Sequence, residues 1–262
     1  MTRNQLEEEI LRIFYKTEGN YIESIPQLGG EGLTLYAEPI FGIGSADDPL
    51  FEEYRQEGII GPWFMGPTNW LTDARSVISV FFPFTDRVKA SNAIQTGHAS
   101  VEWLYARIEG QAFITKFTRN MTERLTGLGI SCCAPSIDPR FALNKDPIAG
   151  NWSERHCGYV CGLGTFGMSR GLITRKGMAG RFSSFIISEA LDAYRRDYTG
   201  IYDYCIKCGA CAKRCPAHAF PDNGIKDNPI CMRFVDHSKE LFAPRYGCGL
   251  CQTGVPCESS IP

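Results

Sequence analysis

The chain has 262 residues, 44% of them hydrophobic and 21% charged, with a formal net charge of −2; that is the balance of a globular protein with ample core. So near-neutral a chain offers no bulk attraction to nucleic acid. No apolar run approaches the roughly 20 residues of a membrane span, and the polar, acidic opening Met1–Ile10 is neither a signal peptide nor a twin-arginine leader, so a cytoplasmic location is expected.

Residues 3–16 place Leu6, Ile10, Ile13 and Phe14 at helical spacing around Glu7, Glu8 and Glu9, an amphipathic helix with its acids towards the N-terminal end. Residues 18–70 are rich in Gly, Pro and aromatics with weak periodicity, and read as an irregular covering layer in which Ile59–Pro67 packs a loop onto the body. Val77–Phe84 is a short run of β-formers and reads as a buried strand. Val101, Leu104, Ile108, Phe113, Phe117, Met121 and Leu125 predict a long helix over 101–126, ending near Gly127-Leu128-Gly129. Ile130–Pro135 is a strand candidate, Ser136–Arg140 a turn, and Ser153–Gly162 a helix with Ser153 at its N-cap. Gly171–Thr174 and Arg181–Ser188 read as strands around a turn at Lys176-Gly177.

Between that helix and those strands lies Cys161-Gly162-Leu163-Gly164-Thr165-Phe166-Gly167. Its G-x-G-x-x-G follows a helix and precedes a strand, the reverse of the order a dinucleotide fingerprint needs. It reads instead as a tight loop whose bare backbone can approach a flat ligand, or as a close-packed turn with no ligand. Arg170, Arg175, Lys176 and Arg181 cluster around the strands, either as a solvated turn or as a hold on an anionic tail. Cys157 and Cys161, four residues apart, read as small core hydrophobes. Cys132 and Cys133, adjacent in a strand, point to opposite faces. The four histidines show no ligand spacing, and no D-x-H-x-x-G stretch is present.

The densest chemistry is in residues 205–257. Cys205, Cys208, Cys211 and Cys215-Pro216 form C-x2-C-x2-C-x3-C-P, the spacing of bacterial ferredoxins. Cys231, Cys248, Cys251 and Cys257 bring the total to the eight thiolates that two 4Fe–4S clusters need. In the crossed ferredoxin pattern Cys257 completes a cluster on Cys205, Cys208 and Cys211, and Cys215 joins Cys231, Cys248 and Cys251. The long gaps of the second half leave the placement of Cys231 and Cys257 open. A zinc ribbon would use only four cysteines and leave Cys211 and Cys215 idle. An α+β body over residues 1–195 thus precedes a cluster module over 196–262.

Several of these stretches together resemble the epoxyqueuosine reductase family, which is related to the reductive dehalogenases. They are Glu154-Arg155 followed by Gly162–Gly167, the strands beyond, the cysteine module with its Tyr246-Gly247-Cys248 turn, and Tyr105-Ala106-Arg107 at the head of the long helix. The resemblance covers the stretch from about residue 150 to 257 most specifically. It implies a nitroreductase-like body that binds cobalamin base-off, with no protein ligand to cobalt, and a two-cluster ferredoxin-type module that reduces it. It assigns Gly162, Leu163, Gly164, Thr165, Phe166, Gly167 and Arg170 to the corrinoid, and Tyr105, Arg107 and Asp146 to catalysis. Two departures stand out. Ile148 occupies the position of the family's catalytic aspartate, with Asp146 and Asp138 nearby, and the chain stops soon after Cys257, without the helical-repeat extension of the tRNA enzymes; with a net charge of −2 and no basic tail, tRNA is not an expected partner.

Three functions follow as expectations. The first is a cobalamin-dependent reductase of a small substrate, with Tyr105 as proton donor and Arg107 or Arg170 holding an anion. The second is an electron-transfer protein that reduces the corrinoid of a partner protein. The third is a reductase carrying FMN, on fold analogy. A reduced ferredoxin or flavodoxin is the expected electron donor to the clusters.

Overall fold

The computed structural model describes residues 1–145, 148–222 and 224–262. At its centre is a four-stranded antiparallel sheet in the order Ile40–Ser45, Ser76–Pro83, Gly180–Ile187, Cys132–Cys133. All eight residues of Ser76–Pro83 are buried, so both faces of the sheet are covered. Because side chains alternate along a strand, that one strand feeds two cores.

Ile78, Val80 and Phe82 point to the face covered by the N-terminal helix Arg3–Lys16 and the long helix Val101–Gly127, where they pack with Leu6, Phe14, Phe113, Phe117 and Phe185. Both helices lie where the spacing predicts. Each starts on a cap: Thr2 exchanges hydrogen bonds with Gln5 in a capping box, and the Ser100 hydroxyl accepts from Trp103 N at 3.1 Å. Val77 and Ile186 point the other way, into an aromatic core of Trp70, Phe64 and Trp152 with Cys157 and Cys161. The short helix Glu154–Val160 lies over this face.

The segment read as an irregular layer is more regular than expected. Tyr21–Ile25 and Glu31–Thr34 form a hairpin, and Ile40–Ser45 is an edge strand of the central sheet. Gly42 and Gly44 hid that strand by diluting its β-forming pattern, and both have a packing reason. A Cβ on Gly42 would strike the Cys161 carbonyl, and one on Gly44 would press on Val160 at 3.1 Å. The absent side chains let the end of Glu154–Val160 settle onto the strand. Ser153 stands at that helix's N-cap, but its hydroxyl bonds the His156 ring at 2.7 Å rather than a backbone N–H.

The C-terminal module repeats one local device. Gly209 and Gly249, each following a cysteine, both adopt φ 73° and ψ 0° and open a single helical turn, Ala210–Lys213 and Leu250–Gln252. The helix Asn228–Phe242 joins the two halves. The module is tied to the body by Met178 N donating to Cys257 O at 2.9 Å, Asn92 Nδ2 donating to Thr253 Oγ1 at 3.0 Å, and the Arg245–Glu109 ion pair.

Gly42→Ala should cost about 1–3 kcal/mol of stability through overpacking against the Cys161 carbonyl, read as a lowered midpoint in denaturant unfolding. An unchanged midpoint would mean that the helix end can retreat from the sheet at no cost.

Candidate metal centres and the adjoining hollow

The thiols fall into two groups. Cys257 lies within electrostatic reach of Cys211, Cys205 and Cys208, and Cys248 and Cys251 within reach of Cys231 and Cys215. These neighbours are the ones that the crossed partition would bring together. Cys211 also feels Cys251, so the two groups adjoin. Among the described residues no three His, Cys, Asp or Glu side chains converge at single-ion spacing.

The first group lines a pocket together with Gly167, Ile173, Met178 and Val255. Burial, then neighbouring thiols, pushes Cys211 up to about 11; burial first also pushes Cys248 and Cys257 up to about 12. Without a bound cation these thiols hold their protons at neutral pH, so metal binding must release them. Two sets of four sulfur donors in apolar surroundings fit two cubane clusters.

The body residues singled out from the sequence do not converge. The Tyr105 hydroxyl bonds Gln27 Oε1 at 2.9 Å, and the Arg245 guanidinium covers its ring at 3.5 Å. Arg107, two residues on and therefore on another side of the helix, lies over the Tyr246 ring at 4.5 Å with its Nε buried and unpaired. Asp146 lies outside the described residues. Asp138 is forked by Arg140 at 2.7 and 2.8 Å, which holds its carboxyl down at about 2.

The glycine stretch is spent within the chain. Gly164–Phe166 pairs with Leu172–Thr174 as a hairpin, and a Cβ on Gly164 would collide with the Ile173 carbonyl. A Cβ on Gly162 would lie 3.1 Å from Tyr194, and one on Gly167 3.3 Å from Ile173. Leu163, Thr165 and Phe166 are buried, and the Thr165 hydroxyl accepts from Tyr204 N at 2.9 Å. The face predicted for a flat ligand is filled by the protein itself, so these residues do not fit a corrinoid cradle. Cys157 and Cys161 sit in the core with their sulfurs 4.0 Å apart.

Glu154, Arg155 and His156 received no role from the sequence, whereas Arg170, expected to hold a corrinoid or an anion, lies beside them. Arg155 is exposed by surface area, yet loss of hydration is the main influence on its guanidinium and lowers it. Accessible surface on a group so crowded by protein places Arg155 in a concavity, or hollow, beside the module. Arg155 donates to the Arg170 carbonyl at 2.6 Å and lies near the Cys251 and Cys231 thiols. Arg170, at φ 60°, donates from Nε to the Lys226 carbonyl at 2.7 Å. Neighbouring Glu154 points away from the arginines, towards Ser184 and Cys157. Both its carboxyl oxygens are buried and unpaired, and burial raises it to about 7, against a small opposite pull from Ser184. His156 is held neutral, first by burial and then by Arg155 and Arg170, which bring it down to about 3. The Glu154-Arg155 dipeptide was the visible signal, but nothing in its composition says that the two side chains part.

A family model described as a 4Fe-4S binding domain matches residues 198–220, so the module is of the iron–sulfur class. No curated protein matches the chain. Most of the chain superimposes on solved epoxyqueuosine reductases and reductive dehalogenases and shares their fold. One is an epoxyqueuosine reductase with a tRNA-Tyr stem loop carrying the modified base (TM-score 0.57, 14% identity, 97% of this chain and 66% of that one). Another is an epoxyqueuosine reductase from Bacillus subtilis with its catalytic loop swung out (TM-score 0.55, 15% identity, again 97% and 66%). A third is a catabolic reductive dehalogenase in complex with 3-bromo-4-hydroxybenzoic acid (TM-score 0.56, 16% identity, 85% and 30%). The chain thus spans just under two thirds of the reductases and less than a third of the dehalogenase.

Cys211→Ala should lose iron from the first set and loosen the module, because metal supplies part of its folding energy, whereas Cys157→Ala should keep full iron. Iron and sulfide analysis of both variants checks the division; equal loss in the two would erase it.

Glu154 adds a pH dependence. A carboxyl raised from about 4.5 unfolded to about 7 folded leaves the fold most stable when protonated. Stability should fall as pH rises from 4.5 to 7, by roughly 3 kcal/mol from this group, and level off above. Glu154→Gln should flatten that decline in denaturant midpoints taken between pH 5 and 8.

Proposed function

We propose that this chain is an iron–sulfur oxidoreductase that takes electrons at its surface from a reduced ferredoxin or flavodoxin and delivers them to a ligand in the hollow. The observation that carries this reading is the placement of the two thiol sets. The first set includes exposed Cys208 beside exposed Ile206. The second has Cys231 and Cys251 near Arg155, which lines the hollow. The sets adjoin at Cys211 and Cys251, so they lead in order from solvent to interior.

Two 4Fe–4S clusters supply low-potential one-electron chemistry when bound. Cys205, Cys208, Cys211 and Cys257 hold the outer, and Cys215, Cys231, Cys248 and Cys251 the inner. The surrounding residues exclude water: Leu250, Thr253 and Ala219 are fully buried, and Ala219 N donates to Cys215 Sγ at 3.4 Å. Arg107 and Arg170 offer charge towards the hollow, while Tyr105 is committed to Gln27.

The nitroreductase-like character of the body, and a corrinoid as the group within it, rest on the family resemblance. No residue is assigned to a corrinoid here, because the glycine stretch does not present a face to one. A small substrate or the cofactor of a partner protein is therefore the acceptor class in this reading.

Anaerobically purified protein should contain about eight iron and eight acid-labile sulfide per chain, and dithionite should produce the EPR of two interacting reduced clusters. About four iron, or stoichiometric zinc, would overturn the two-cluster reading. A visible spectrum of the same sample shows whether FMN or cobalamin accompanies the iron, and tight FMN would make the flavin reading the better one.

A further inference from the structure

Three arginines from three elements meet where the sheet, the long helix and the module come together. Arg181 opens the strand Gly180–Ile187, paired with Phe82 and so facing the long helix. Its Nη2 donates weakly to the Arg107 carbonyl at 3.4 Å. Arg107 comes from that helix and packs against Gly247 and the Tyr246 ring. Arg155 reaches in from the helix Glu154–Val160. The groups nearest Arg181 are Tyr36, Arg107, Arg155 and Tyr246, two phenols and two cations.

Buried cations are normally matched by carboxylates. Among the described residues none of Arg107, Arg155, Arg170 or Arg181 is in an ion pair; the pairs that form involve other cations. The nearby acids do not pair with them. Glu109 is held by Arg245 through Oε1, with its Oε2 buried and unpaired, and Glu154 turns its unpaired carboxyl towards Ser184 and Cys157.

Four thiolates around a cubane leave a net negative site, and that charge answers part of the excess. Arg155 lies towards Cys251 and Cys231, and Lys226, itself buried, towards Cys251. It leaves Arg181 unanswered, for the groups around it are Tyr36, Arg107, Arg155 and Tyr246; Arg107 packs on Gly247, next to Cys248, and has no carboxylate partner among the described residues. The buried Arg107 Nε still lacks an acceptor. A guanidinium presents its N–H groups as a planar fork that matches a carboxylate or phosphate.

We propose that Arg107 and Arg181, flanked by Arg155, form a binding site for a compact anion, a carboxylate or phosphoryl group, carried by the molecule that occupies the hollow. The site gives the acceptor its chemical class: the ligand that receives electrons is anionic. The inference rests on the electron-delivery reading for the role of that ligand, but not for the chemistry of the site. The same anion could belong to a free substrate or to the phosphate of a nucleotide-bearing cofactor.

The test uses the anaerobic, cluster-loaded protein, titrated calorimetrically with inorganic phosphate and with acetate. Wild type should bind at least one of them. Arg181→Gln should weaken binding at least tenfold with iron content unchanged, Arg181→Lys should restore part of it, and Arg175→Gln, at an exposed turn, should bind as wild type. No measurable binding to wild type, or equal binding by Arg181→Gln, overturns the proposal. Should Arg181→Gln fold poorly, protection of wild type by phosphate against phenylglyoxal, mapped to Arg107 and Arg181 by peptide analysis, reads the same site; modification unaffected by phosphate overturns it. Repeating the titration after loading with hydroxocobalamin separates the sources. Phosphate binding abolished by the corrinoid assigns the site to a cofactor phosphate, and binding that survives assigns it to a substrate. A sample with zinc in place of iron would sink the electron-delivery reading while leaving the arginine titration to be read by itself, because Arg107 and Arg181 are carried by the long helix and the central sheet rather than by the module.

Discussion

The burial of Ser76–Pro83 on both faces governs the architecture. A strand with no solvent side cannot be half-polar, and its alternate residues must each find an apolar partner layer. Ile78, Val80 and Phe82 find theirs in the two long helices. Val77 and its neighbours need a second layer, which comes from the aromatic loop around Trp70 and from the helix Glu154–Val160. That helix is short, and its contact with the sheet is close because Gly42 and Gly44 leave room for its end. Its position is what brings Arg155 to the module while Glu154 remains against Ser184. The chemistry at the junction is therefore a consequence of covering the second face of one strand.

The module depends on the body in a different way. It has little apolar core of its own: of its hydrophobic residues, Ala219, Val235, Leu250 and Val255 are among the few that are buried. Its eight thiols are crowded and, left protonated, would be soft neutral groups with no directed bonds. Coordination would convert them into the covalent frame that a small fold needs. The body supplies the rest through backbone, with Met178 N and Ala179 N donating to the Cys257 and Glu258 carbonyls. Trp103 of the long helix lies directly against Gly249. Only glycine, at φ 73°, allows both that turn and that contact.

Legibility from sequence followed the strength of local constraints. The two long helices, the buried strand and the cysteine spacing were readable because each repeats a period or a fixed gap set by geometry. The strand Ile40–Ser45 was not, because its glycines serve packing partners more than a hundred residues away. The G-x-G-x-x-G stretch was half readable. Its order relative to helix and strand correctly excluded a dinucleotide loop, but whether the bare backbone faced a ligand or the protein depended on the Ile173 carbonyl across the hairpin. Tyr105 and Arg107 illustrate the helical case. Nearness in sequence suggested one site, whereas a separation of two residues turns side chains about 200° apart, and Tyr105 went to Gln27 while Arg107 went to Tyr246.

The arginines were the least legible part, for a physical reason. Arg107, Arg155 and Arg181 are far apart in the chain, and isolated arginines are most often solvated surface charges. What sets these three apart is a deficit, the missing carboxylates, and a deficit can be seen only after the fold has brought their elements together. The glycine hairpin contributes to that assembly. By folding tightly on itself at Gly164–Phe166 and Leu172–Thr174, it carries the chain from the end of Glu154–Val160 to Arg170, whose carbonyl takes the Arg155 guanidinium and whose own guanidinium reaches the Lys226 carbonyl. A stretch that looked like a ligand cradle therefore acts one step removed. It orients the arginine that stands between the hollow and the second set of thiols.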